Sequence, residues 1–243
     1  EDQIACRGGR RYGSRLVRFG EAKAGTLDVP ADHPYRLGLT DFGSPSKLTI
    51  VPIERRAPRE NEIEVEVKAS GLNFRDVLRA MGMLREYEEA FGIHTAADAV
   101  FGFECAGTVT AVGPGVAEFG MGDEVIAMSL ESMSSHVVVE TSRAARKPAC
   151  LNFEEAASAP LAFLTAMYGL ERLAKLKKGH KVLIHAAAGG VGQAAVEIAR
   201  RIGADIYATA SEPKWDFLRS LGVEHVYNSR TLDFSDQIMQ DTK

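Results

Sequence analysis

The chain reads as an α/β protein in two parts, a glycine-rich β domain followed by a parallel sheet with crossover helices. Three observations predict this. In residues 63–69, Ile63, Val65 and Val67 alternate with Glu64, Glu66 and Lys68, the period of a half-buried strand. In residues 190–202, Val191, Ala194, Ala195, Ile198, Ala199 and Ile202 fall on one helical face. Beyond residue 150, short strands and helices alternate through short links, as strands of a parallel sheet joined by crossover helices do.

The elements follow in order. Residues 1–31 are basic and glycine-rich (RGGRRYGSR), then acidic and small (EAKAGTLDVPADHP), and read as a linker or the tail of a preceding domain. Residues 32–150 form the β domain, with strands over 47–53, 63–69 and 109–112 and a turn at Gly113-Pro114-Gly115. Residues 151–243 form the second domain. Asn152 is placed to cap a helix whose first turn holds Glu154 and Glu155, favoured there by the helix dipole. This helical stretch stays apolar to Leu176 and stops at Gly179. Then come a strand over 182–184, a glycine-rich turn and the helix over 190–202. A strand over 205–209, a helix over 213–220, a strand over 225–227 and a short helix from Phe234 complete the chain.

Bulk properties narrow the function classes. With 29 basic and 33 acidic residues the formal net charge is −4, so no basic excess suits a nucleic acid or an anionic membrane surface. No run approaches the ~20 apolar residues of a membrane span. Cys6, Cys105 and Cys150 are far apart and odd in number. They make neither a disulfide framework nor metal-ligand spacing, which suits a reducing, cytoplasmic setting.

The segment after the strand over 182–184 reads HAAAGGVGQAAVEIAR. Ala187-x-Gly189-x-x-Gly192 fits the dinucleotide fingerprint with its first glycine replaced by alanine. Gly189 lets the backbone approach a pyrophosphate, Gly192 lets the helix pack close to the strand, and the helix start offers free N–H groups to phosphates. A glycine-rich turn with no ligand is the plain alternative. The position between a buried strand and an amphipathic helix favours the nucleotide. Where NAD sites place an acidic residue, about 20 positions on, this chain has Ser211, Glu212 and Lys214, with Ser229 and Arg230 after the next strand. That set suits the 2′-phosphate of NADP better than a bare hydroxyl, with Glu212 as the counter-indication.

Several motifs together resemble one family: GLNFRDVL (71–78), FGFECAGTVTAVGPGV (101–116), FLTAMYGL (163–170), the glycine-rich turn and its helix, ATASEPKWDFLRSLG (208–222) and NSRTLDF (228–234). The chain resembles the enoyl reductase domain of modular polyketide synthases, in the quinone-reductase-like branch of the medium-chain dehydrogenase/reductase superfamily, over residues 33–243. The lead-in IACRGGRRYGSRLVR is similar to the stretch that enters such a domain from its neighbour. The resemblance implies a GroES-like β domain packed on a Rossmann domain, with the first half of the latter in this chain. It implies NADPH as hydride donor and, as partners, an acyl carrier protein bearing an enoyl thioester and the neighbouring domains of a megasynthase. Hydride would go to Cβ and a proton to Cα, or, with a leaving group at Cγ, the enolate would close to a cyclopropane. Asn73 and Thr165 match family positions near the nicotinamide. Gly189, Gly190 and Val191 match the pyrophosphate turn, and Ser211, Lys214, Ser229 and Arg230 match the 2′-phosphate pocket. Apart from the resemblance, Asn73 reads equally as a turn residue bonding its own backbone.

Zinc-dependent members carry Gly-His-Glu and an upstream cysteine. Here the corresponding segments are Gly102-Phe103-Glu104 and Asn73-Phe74-Arg75-Asp76, so the about three protein ligands of a catalytic zinc cannot be assembled. Many members also place a tyrosine, a candidate proton donor to Cα, where this chain has Leu84. Tyr87, in the insertion REYEEAFGIHTAADAV, is the nearby substitute, with an ordinary helix-surface role as its alternative. The family's lysine and aspartate lie beyond Lys243, so the chain is expected to be part of a longer domain. Two other readings stand beside this one: a free-standing NADPH quinone or enone reductase, and a nucleotide-binding module without catalysis.

Overall fold

The computed structural model describes Ile4–Arg7, Arg10–Gly13 and residues 27–242. Within the 1–31 stretch, Ile4–Arg7 (β1) pairs antiparallel with Arg10–Gly13 (β2). The sequence reading did not foresee this pair, since neither strand alternates apolar with polar residues. Residues 14–26, which complete the lead-in expected to join a preceding domain, lie outside the described residues.

Seven strands build the first domain: Tyr35–Leu39 (β3), Leu48–Pro52 (β4), Glu62–Ser70 (β5), Glu104–Val112 (β6), Glu124–Met128 (β7), His136–Glu140 (β8) and Ala144–Arg146 (β9). β3 and β4 form an antiparallel pair, and the rest make one antiparallel sheet in the order β8-β5-β6-β7-β9. Its core is aliphatic, with Ile63, Val65, Cys105, Val109, Val125, Val137 and Val139 packed together. The alternation expected in β5 holds for Ile63 and Val65 against Glu66 and Lys68, but not for Glu64, which is also buried.

A partner explains the exception. Glu64 accepts from Arg55 through Nε at 2.9 Å and Nη2 at 2.5 Å, and from Thr110 Oγ1 at 2.7 Å. These bonds to the charged form outweigh desolvation and hold the Glu64 carboxyl below its ordinary value of 4.5. A depressed folded-state value gives stability that is present above the unfolded value and lost as pH falls through the folded one. Glu64→Gln is therefore expected to lower the urea midpoint at pH 7 and to flatten its decline on acidification below about pH 4.5. Parallel acid limbs for the two proteins would remove Glu64 from the acid response.

Two short helices, Phe74–Ala80 (α1) and Arg85–Glu89 (α2), lie between β5 and β6. The single helical stretch expected from residue 152 is broken into Phe153–Ala157 (α3), Pro160–Met167 (α4) and a π-helical turn over Tyr168–Leu173. Pro160 causes the first break, because a proline has no N–H to continue the ladder but suits the first position of a new helix. The cap at Asn152 forms as expected: its side chain accepts from Glu155 N at 2.7 Å, and Asn152 N–H donates to Glu155 Oε2 at 3.0 Å. Ala156 and Ala157 of α3 pack on Ala106 of β6, whereas Ala166 of α4 joins the core of the second domain.

In that second domain, Lys181–Ile184 (β10), Asp205–Ala210 (β11) and His225–Asn228 (β12) form a parallel sheet in the order β10-β11-β12. Gly190–Ile202 (α5), Trp215–Ser220 (α6) and Phe234–Asp241 (α7) accompany it. α5 has the bounds its periodicity predicts and ends on Gly203 at φ 83°, the left-handed stop that glycine adopts without strain. Ala194, Ala195, Ile198 and Ala199 are buried on its inner face. Among the described residues no helix is long and apolar enough to cross a membrane.

Candidate functional site

The glycine-rich turn joins β10 to α5. Ala187 is fully buried beneath it, with its N–H donating to Thr209 O at 3.1 Å, so this residue shapes the turn from below. Gly189 occupies the cap position of α5, and its N–H donates to Ala186 O at 2.8 Å. Gly189, Gly190 and Val191 are exposed, which leaves the helix start open to an anion. A Cβ on Gly192 would stand 2.6 Å from Ala187 Cα and 2.7 Å from its carbonyl carbon, so close packing of helix on turn excludes any side chain there.

The second strand and its neighbour place the residues expected around a 2′-phosphate. Ala210 pairs with Asn228, so Ser211 and Ser229 follow paired strand ends, and Ser229 N–H donates to Ala210 O at 3.1 Å. Ser211 holds the cap position of the 3-10 turn over Glu212–Lys214, but its side chain makes no cap bond. Lys214 and Arg230 are exposed. Glu212, the counter-indication, has its Oε1 taken by Asn228 Nδ2 at 3.1 Å.

Between the two domains lies a cleft of about 550 Å³, lined from the first domain by Asn73, Phe103 and Glu104 and from the second by Thr165, Gly190 and Val191. The structure thus brings together Asn73, Thr165 and the turn, which stand far apart in the chain. Asn73 caps α1 through its backbone, its N–H donating to Asp76 Oδ2 at 2.9 Å, while Nδ2 donates to Glu104 Oε1 at 3.1 Å.

Comparison with known proteins agrees with this geometry. The alcohol dehydrogenase GroES-like domain matches residues 59–163, and the domain described as zinc-binding dehydrogenase matches residues 190–243. The chain is 42% identical over 248 residues to a mycocerosic acid synthase-like polyketide synthase of Mycolicibacterium smegmatis, an alignment covering 100% of this chain and 11% of that protein. It therefore spans about a tenth of the length of the curated relatives it matches. CurK enoyl reductase is 52% identical with a TM-score of 0.85, covering 87% of this chain and 64% of the other. An Escherichia coli quinone oxidoreductase complexed with NADPH is 33% identical with a TM-score of 0.74, covering 86% and 62%. The chain belongs to the medium-chain dehydrogenase/reductase superfamily, with the polyketide synthase enoyl reductases. Its two parts are the GroES-like and Rossmann-type domains of that superfamily.

The superfamily's zinc does not fit this member's residues. Phe103 stands where zinc-dependent members have histidine, and no group of three or more His, Cys, Asp or Glu among the described residues is placed to hold a metal ion. Cys105 is buried, which pushes its thiol up to about 12 and makes it a poor nucleophile at neutral pH. A nicotinamide dinucleotide, by contrast, fits the open helix start and the glycines that keep side chains away from it.

Tyr87 stands on α2, 55% exposed, with its ring 5.1 Å from that of Phe91. It is not among the residues lining the cleft; Arg75 lies between, its guanidinium 5.5 Å from the Tyr87 ring centre and 5.2 Å from that of Phe103. Sequence reasoning missed the cleft roles of Arg75 and Glu104. The signal for Glu104 was available: it is the one charged residue in the small and apolar run FGFECAG (101–107), and an acid so placed is buried with partners or not at all.

Proposed function

We propose that the protein is an NADPH-dependent enoyl reductase that acts on an enoyl thioester held by an acyl carrier protein, within a cytoplasmic polyketide megasynthase. The observation that carries this reading is the shared cleft, where Asn73 of the first domain stands across the domain boundary from Thr165 and the glycine-rich turn of the second. Gly190 and Val191 bind the pyrophosphate through open backbone amides at the start of α5, and Gly189, whose N–H is taken by Ala186 O, lets the phosphate approach with no Cβ in the way. Ser211, Lys214, Ser229 and Arg230 hold the 2′-phosphate, with Glu212 drawn aside by Asn228. The nucleotide, when bound, supplies the hydride that adds to Cβ.

What the chain's own residues do is position and shield. The cleft is largely apolar, with Leu72, Phe74, Phe103, Leu161 and Val191 among its lining residues. Such a wall excludes water from the reacting carbons and accommodates an acyl group. Asn73 and Thr165 orient the nicotinamide end. Tyr87, the donor suggested by the sequence, does not line the cleft, so the proton for Cα is assigned to water.

The test is NADPH consumption followed by absorbance, with a pantetheine-linked crotonyl thioester compared against a quinone. The thioester is expected to be the better substrate and NADPH the better donor. Replacing Lys214 and Arg230 together by alanine is expected to weaken NADPH binding by about ten-fold or more, as charge-assisted contacts are lost, and to leave NADH nearly unaffected. Tight NADPH binding with no turnover of either substrate would make the protein a non-catalytic nucleotide-binding module. Preference for the quinone would make it a quinone reductase.

A further inference from the structure

Glu104 is buried at 3% exposure, and its two carboxylate oxygens serve opposite walls of the cleft. Oε1 accepts from Asn73 Nδ2 at 3.1 Å, on the first domain. Oε2 accepts from Leu161 N at 2.7 Å, in the first turn of α4. The chain makes room for this side chain: a Cβ on Gly71 would stand 2.5 Å from Glu104 Oε1 and 2.6 Å from its Cγ. We propose that Glu104 is a positioning residue that fixes the Asn73 amide with its oxygen, which also faces the Asp76 N–H of the α1 capping box, as the acceptor end in the cleft, and locks α4, and with it Thr165, at a set distance. The inference rests on the nicotinamide dinucleotide reading above.

Three features support it. A carboxylate only accepts, so the Asn73 amide can meet Glu104 with its nitrogen alone. That leaves Oδ1 as the end able to receive an N–H, and the carboxamide of a nicotinamide offers one. Next, α4 cannot cap itself, because Ala159 holds its cap position without a polar side chain and Pro160 has no N–H. Leu161 offers the first free N–H, and a negative charge at a helix start is favoured there. Finally, Thr165 lies four residues after Leu161 on the same helix face, so the bond that seats the start of α4 also seats Thr165. Glu104 stands outside the motifs read for nucleotide binding and touches both residues' supports at once.

Glu104→Gln is the decisive variant. Its shape is unchanged, but one oxygen becomes an NH₂. The backbone N–H of Leu161 cannot turn around, so the remaining oxygen stays with it and the NH₂ faces Asn73. Asn73 must then rotate its amide, aiming its own NH₂ where the acceptor stood. In the intact protein, equilibrium affinity for NADPH is expected to fall about ten-fold, the effect of one lost hydrogen bond. Affinity for 2′-phospho-ADP-ribose, which lacks the nicotinamide, is expected to stay within about two-fold. The exchange Asn73→Asp with Glu104→Gln reverses the bond, with a donor on 104 and only acceptors on 73, and is expected to recover most of the NADPH affinity.

Unchanged NADPH affinity in E104Q overturns the assignment, as does equal weakening of both ligands, which marks a general structural role. Should E104Q fail to fold, the double variant decides. Folding with near wild-type NADPH affinity supports the role, whereas failure to fold, or folding with NADPH affinity lost, overturns it. Wild-type protein that binds neither ligand defeats the nucleotide reading itself, a result distinct from either.

Discussion

Gly192→Ala is expected to lose nucleotide binding almost entirely while also weakening the second domain. The added methyl would meet Ala187 Cα at 2.6 Å and its carbonyl carbon at 2.7 Å. Both are backbone atoms, so no side chain can swing away to make room. Ala187 itself is fully buried, and its N–H is bonded to Thr209 O on β11, so the turn cannot retreat toward the sheet. The helix must move instead, and with it the exposed backbone of Gly189 and the open amides of Gly190 and Val191. Overpacking of a tight site costs about 1–3 kcal/mol, here at the upper end because every atom met is backbone of the turn. A displacement near 1 Å at a binding constellation costs about a hundred-fold in function. Gly190→Ala is the control, since nothing lies within 4 Å of its Cβ and alanine suits a helix better than glycine. G190A is expected to melt at or slightly above the wild-type temperature. Thermal melts and nucleotide titrations of the two variants give the comparison, and a G192A protein with unaltered melting and affinity would refute the packing account.

The sequence made the second domain legible because its signals are local. The period of residues 190–202 gave α5 to the residue, and the Asn152 box gave the start of α3. The cofactor turn was readable for the same reason, since strand, glycines and helix are consecutive. Breaks and buried charges were harder. The apolar run after Asn152 continues through Pro160, and periodicity alone does not register that a proline restarts the ladder. Glu64 and Glu88 look like surface acids and Glu104 stands alone in an apolar run, yet each is at most 3% exposed. Whether an acid is buried depends on its partner. Here the partners lie nine residues away for Glu64 and Glu88, and 31 and 57 away for Glu104. A window of a dozen residues holds the Glu64 and Glu88 pairs with Arg55 and Arg79 but neither of the Glu104 pairs, and periodicity does not register any of them. For the same reason the assembly of Asn73 with Thr165 had to come from family resemblance, not from spacing.

The largest expected loss of stability comes from Glu88→Ala, in the insertion that follows Leu84. Glu88 is 1% exposed and Arg79 3%, and Arg79 Nε donates to Glu88 Oε1 at 2.7 Å. Arg79 also donates to Val100 O, so its guanidinium ties α1 both to the insertion and to the strand entry beyond it. Removing the carboxylate leaves a guanidinium with permanent charge sealed from water. Breaking one half of a buried pair costs about 3–5 kcal/mol, because the remaining charge keeps its desolvation penalty without its partner. Arg75, whose Nη2 is 3.9 Å from Glu88, is a second cation and offers the stranded Arg79 no compensation. The consequence reaches the cleft: Phe103 lies under both guanidinium groups, 5.8 Å from that of Arg79 and 5.2 Å from that of Arg75. E88A should therefore loosen the wall formed by Phe103 as well as lower the urea midpoint. Replacing both partners, Arg79→Met with Glu88→Leu, removes the stranded charge and is expected to recover most of the loss, to within about 1–2 kcal/mol of wild type. If E88A unfolds at the wild-type midpoint, or if the double variant is no more stable than E88A, then the pair is not what holds the insertion against α1. In that event the rigidity of the Phe103 wall must come from the Asp76 carboxylate, which accepts from Gly102 N at 2.8 Å immediately before it.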